Sequence, residues 1–128
     1  MRSLDLRHIA EQCVTLVADQ FDRRLDWTLD SLEVLDEVCA SLSAEQLAED
    51  RLELWWKLVG AYTGEVLIGA YGGEWGSHPD TTAPVVLVQG CTAQPFTIAH
   101  RVLTGEPFKS LASFGRVFPA IIAQSGRP

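Results

Sequence analysis

Glu65 is the residue in this chain best placed to do chemistry. It stands in "TGEVLIG", followed directly by Val66, Leu67 and Ile68. A carboxylate on a mostly buried helix must find a partner or give up its charge. Perturbed carboxylates serve as general bases or ligand-holding groups, and structural ion pairs produce the same pattern. Arg101, an isolated cation in the apolar segment "PFTIAHRVL", is the expected partner. Tyr62 and His100 could join Glu65 and Arg101 around a pocket, and the ion-pair reading is the stronger of the two.

Other groupings are weaker. "SHPD" holds the residue types of a hydrolase triad in Ser77, His78 and Asp80. Triad members must converge in space, and neighbours in one loop rarely do, so Pro79 and Asp80 read better as turn formers. His8 and His100 have no HxxxH or HExxH spacing, so no metal is expected. The run "GAYTGEVLIGAYGGEWG", residues 60–76, is glycine-rich. A phosphate loop leads from a strand into a helix N-terminus, whereas these glycines end a helix, where the partial charge is negative. Gly60 and Gly64 lie one helical turn apart. Each costs about 1 kcal/mol of helix propensity, so close approach of a backbone or a Trp ring must offset them.

The elements that would position these residues follow from periodicity. Leu6, Ile9, Cys13, Leu16, Val17 and Phe21 make residues 4–22 an amphipathic helix. "RRLDWT" breaks that pattern as a short strand or extended link. Thr28 can cap a second helix that buries Leu32, Leu35, Val38, Cys39 and Leu42. Ser43 to Gln46 fits a capping box, placing the start of a third helix near residue 44. Leu47, Leu54, Trp55, Leu58, Tyr62 and Leu67 step along it to about Ala70, and Gly72 or Gly73 can stop it. "PVVLVQG" reads as a buried strand, paired through the "SHPDTTA" loop with a strand at Glu74–Gly76. Pro95 opens a helix ending at Gly105, and Pro107 opens the last one, which Pro119 should kink. In that last helix Leu111, Phe114, Phe118, Ile121 and Ile122 share a face. The fold class is therefore α+β: a long central helix and several shorter helices on a small antiparallel sheet, in a single domain over 1–128.

Composition narrows the partners. Hydrophobic residues make up 47% and charged residues 21%, which suits a folded chain and excludes extended disorder. The net charge of −7 argues against nonspecific nucleic-acid binding. Residues 1–50 hold 12 acidic and 4 basic side chains, whereas residues 51–128 hold 5 and 6. That imbalance reads first as solvated acidic helix faces, with Glu33, Asp36 and Glu37 towards water, and would also suit a basic partner or head-to-tail self-association. Trp56 and Trp75 are candidate anchors for a partner, although core packing is the commoner use of tryptophan. The first 24 residues lack the continuous apolar stretch of a signal peptide, and Lys57 and Glu65 disfavour a membrane span. Cys13, Cys39 and Cys91 are widely spaced and odd in number, so they read as core thiols in a reducing cytoplasm.

The segments "LDWTLDSLEVLDEV", "LVGAYTGEVLIGAYGGEW", "PVVLVQG" and "PFTIAHRVLTGE" together resemble a group of small bacterial domains of unknown function. The shared elements are LD…SL..LD, G.Y.GEV and GG.W, in that order, over roughly residues 25–115. The resemblance implies an α+β fold and gives Glu65, Trp75 and Arg101 a place in the motifs. It implies no activity and no cofactor. The expected function is a non-catalytic protein-interaction or regulatory module, an immunity-like partner of a basic toxin being one form. The alternative is a small-molecule-binding protein or enzyme with its pocket around Glu65 and Arg101, and a purely structural subunit is a third, weaker reading.

Overall fold

The computed structural model describes residues 3–120. Helices α1 (Ser3–Phe21), α2 (Ser31–Ala44) and α3 (Glu49–Tyr71) come first. Strands β1 (Glu74–His78), β2 (Thr81–Val88) and β3 (Cys91–Ala93) follow, then helices α4 (Pro95–Leu103) and α5 (Leu111–Arg116). The strands form one antiparallel sheet in the order β1-β2-β3. This is the α+β architecture expected, with α3 as the central helix.

The helices bury the faces that their periodicity marks. Leu6, Cys13 and Val17 on α1 and Leu32, Leu35, Val38, Cys39 and Leu42 on α2 are all buried. On α3, the segment Leu58 to Gly64 is buried at every position, because α1 packs along one side and α4 along another. A second, smaller apolar cluster joins Leu67 to Val86, Val88, Ala93 and Phe118 beneath the sheet. Among the described residues no helix is long and apolar enough to cross a membrane.

Boundaries differ from expectation where capping was misread. Ser43 opens no helix: α2 continues through it to Ala44, and after the C-cap Glu45 the chain turns at Gln46, whose φ of 53° is left-handed. Helix α3 begins instead at Glu49 behind Ala48, with Glu49 and Asp50 near its positive end. Its other end behaves as expected, with Gly72 at φ 70° and its N–H bonded to the Ile68 carbonyl. Leu54, expected in the buried stripe, is 50% exposed.

The "RRLDWT" segment is an extended link without a strand, closed by an Asp26 carboxylate that accepts from both the Thr28 hydroxyl and its N–H. Those bonds hold the Asp26 carboxyl below its ordinary pKa. The Thr28 hydroxyl does accept the Ser31 N–H at 3.2 Å, but the N-cap position of α2 is Asp30, whose side chain makes no capping bond. The β1–β2 turn is only Pro79–Asp80, since His78 pairs with Thr81, so "TTA" belongs to β2 and not to a loop. A second hairpin, unforeseen, turns at Gln89–Gly90. Both have positive φ, the signature of a two-residue type I′ turn.

Helix α5 starts at Leu111, and Pro107 precedes it in an irregular segment. The reason is Asp36, whose carboxylate accepts from Ser110 Oγ (2.9 Å), Leu111 N–H (2.7 Å) and Ala112 N–H (3.1 Å). The break expected from Pro119 falls at Val117, and residues 118–120 are helical again. Pro119 has no N–H to offer the Gly115 carbonyl four residues back; Tyr71 donates its hydroxyl to that oxygen at 2.7 Å. Ile121 and Ile122 lie outside the described residues.

Candidate functional site

Glu65 is paired, but not with Arg101. Its carboxylate accepts from Trp75 Nε1 at 2.8 Å and meets Arg7 Nη1 at 3.4 Å. The side chain of Glu65 is 11% exposed and that of Arg7 48%. The ion pair is therefore half solvated and contributes little, and the indole bond is the stronger contact. The expected Glu65–Arg101 pair fails for a geometric reason. Helix α4 buries Pro95, Phe96, Ala99, Val102 and Leu103, which turns Arg101 outward, where it faces Glu106 at 3.7 Å. The cation that reaches Glu65 comes from α1, the helix lying along α3.

Tyr62 belongs to the same closed junction. Its hydroxyl accepts the Trp27 N–H at 2.9 Å and lies 2.6 Å from Ser31 Oγ. Ser31 gives its one proton to the Thr28 carbonyl at 2.6 Å, so Tyr62 must be the donor to Ser31. Burial, partly offset by these bonds, pushes the Tyr62 phenol above its ordinary pKa. The arrangement also holds Trp27 at φ 69°, a left-handed conformation costly for a bulky residue. Three contacts keep it there: the N–H bond, the Tyr62 ring at 5.0 Å, and the Arg7 guanidinium 3.9 Å from the indole centroid.

The two helical glycines explain how the rings approach α3. A methyl group on Gly64 would overlap the Trp75 ring, and one on Gly60 the Phe96 ring. Close approach of a Trp ring, expected from the sequence, is what Gly64 permits. Trp75, Phe96, Trp56 and His100 thus form a row, with successive centroids 6.0, 5.8 and 6.4 Å apart. Glu65 lies at one end and His100 at the other, with buried Phe96 between. The four residues expected around one pocket are therefore split. Tyr62 and Glu65 pack inside the junction, while His100 and Arg101 stand at an open groove.

That groove is the candidate site. Two hollows of about 280 and 320 Å³ share Trp56 and His100. The first is bounded by Arg101, Phe96, Thr97 and the Thr81–Ala83 start of β2, the second by Glu49, Leu52 and Glu53. Trp56 is half-buried and fixed by its Nε1 donating to the Phe96 carbonyl at 2.6 Å. The groove therefore offers a rigid aromatic wall between a cationic end at Arg101, with the His100 imidazole beside it, and an acidic end. Thr81 to Ala83 were missed because that segment reads as loop; the β-branched pair after Pro79–Asp80 was the available signal.

The acidic face of α2 is engaged inside the molecule. Asp36 caps α5, a correction to its expected place on an interaction surface. Glu33 and Asp30 bind Arg116 at 2.7 and 2.9 Å, and Glu37 binds Arg23 at 2.6 Å. Among the described residues no group of three or more His, Cys, Asp or Glu is placed to hold a metal ion.

No protein-family model matches the chain, and no curated protein matches it. A crystal structure of a protein from Bacteroides thetaiotaomicron VPI-5482 is similar in fold, with a TM-score of 0.66 at 21% identity. The likeness covers 89% of this chain and 42% of that one, so this chain spans less than half that protein's length. At this identity it shows the fold alone.

Proposed function

We propose that the chain is a non-catalytic, cytoplasmic binding module that recognises a segment of a partner protein at the Trp56 groove. One observation carries this reading: a fixed, half-buried indole lies beside an exposed imidazole and guanidinium. Trp and Arg are the side chains most often found as anchors of protein recognition. The two hollows, about 280 and 320 Å³, straddle the lower bound of drug-sized pockets, about 300 Å³, and each suits one or two side chains of an extended segment. The favoured segment presents an aromatic or large aliphatic side chain to Trp56 and an acidic group to Arg101 and His100. Membership of the small bacterial domains that the motifs resemble is part of the same proposal, rests on those motifs and adds nothing to the binding reading.

Selection from a displayed random-peptide library tests it. The expected outcome is an enriched pattern joining an acidic residue to an apolar one, with binding lost in Arg101→Glu. No enrichment, or binding indifferent to both Arg101→Glu and His100→Ala, contradicts the proposal.

A further inference from the structure

Phe108 contributes nothing to the fold that carries it. Its side chain is fully exposed, and its backbone is left-handed at φ 64°, a conformation unfavourable for a residue other than Gly, Asn or Asp. The segment is nevertheless pinned on both sides. The Glu106 N–H bonds to the Arg101 carbonyl at 3.0 Å after a left-handed Gly105. On the other side Ser110 and Leu111 are tied to Asp36. A phenyl ring is thus held out in water on an anchored loop.

Elsewhere the molecule holds a receptor of matching chemistry. A groove of about 480 Å³ between α1 and α3 is lined by Leu16, Leu54 and Leu58, with Glu11 and Gln12 among its polar groups. Leu54 is half exposed there, the most exposed large apolar side chain after Phe108 among the described residues. A cavity of about 150 Å³ suffices for a benzene ring. Lys109, next to Phe108, complements Glu11 on the groove.

We propose that Phe108 of one chain seats in the Leu16–Leu54–Leu58 groove of a second copy. Knob and groove share no residue, so the contact is heterologous and propagates head to tail unless two reciprocal contacts close a pair. One ring in one groove is a small interface, so association is weak and rises with concentration. This contact is independent of the Trp56 groove.

The test is sedimentation velocity over a concentration series reaching millimolar, for the wild-type chain, Phe108→Asp and Leu54→Asp. The wild type should self-associate, and each variant should lose about tenfold or more in association constant. An equimolar mixture of the two variants should recover association but stop at pairs, because it retains one intact knob and one intact groove. A wild type monomeric throughout, an unchanged Phe108→Asp, or a mixture of folded variants that stays monomeric overturns the proposal. Phe108→Ser and Leu54→Gln replace any variant that fails to fold.

Discussion

The two ends of the Trp75–Phe96–Trp56–His100 row have similar residues and opposite fates. At the Glu65 end, a carboxylate, a phenol, two indoles and a guanidinium meet. The polar partners there are matched within the chain: Trp75 to Glu65, Trp27 to Tyr62, and Tyr62 to Ser31. At the His100 end, the indole N–H is matched, but the imidazole, the guanidinium and Thr82 remain exposed beside open volume. A carboxylate among apolar residues therefore marks a junction when the fold supplies its donors. The proposed recognition site is marked instead by fixed rings beside polar groups still facing water.

The largest effect should come from breaking the closed end. Gly64→Val drives a side chain into the Trp75 ring and detaches Trp75 from Glu65. Urea unfolding should show a loss of about 3 kcal/mol, the upper part of the overpacking range. Asp36→Ala removes three hydrogen bonds from the start of α5 and should cost about 2 kcal/mol. Glu65→Leu strands the Trp75 N–H and should cost about 1–2 kcal/mol. Glu65→Gln keeps an acceptor and loses only a half-solvated ion pair, so it should cost less than about 1 kcal/mol.

Alkaline pH acts on the buried thiols of the core. Burial pushes the Cys13 thiol up to about 12 from 9.0, and Cys39 well up also. A raised thiol pKa means that the folded state holds its proton more tightly than the unfolded state. Stability from this source is complete below the ordinary value of 9.0 and is lost as pH climbs towards about 12. Thermal melts across that range should fall, and alkylation of Cys13 at pH 8 should track global unfolding. The smallest stability effect belongs to the open end. His100→Ala and Arg101→Glu alter exposed side chains and should stay within about 0.5 kcal/mol of wild type.

The sequence carried the helical faces well, because a 3.6-residue period is local. It also carried the stop at Gly72, the opening of α4 at Pro95 and the break caused by Pro119. What it did not carry depends on contacts distant along the chain. Asp36 reads as a solvated acid until α5 is seen resting its first turn on it. Arg7 lies 58 residues from Glu65, and no spacing rule reaches so far. Arg101 looked like the better partner because its neighbours are apolar, yet those neighbours form the face that turns it away from Glu65. The ring expected against the glycines was legible; which ring met which glycine was not.

The contrast between the ends is tested most directly by one paired measurement. Arg101→Glu and Glu65→Leu are each assayed for unfolding free energy and for affinity to a peptide selected on the wild-type chain. The account predicts a crossed result: Arg101→Glu keeps wild-type stability and loses the peptide by about tenfold or more, a difference of 1.4 kcal/mol or greater, while Glu65→Leu loses stability and keeps the peptide. A folded Arg101→Glu that binds as well as wild type, or a Glu65→Leu that stays fully stable and fails to bind, would contradict it.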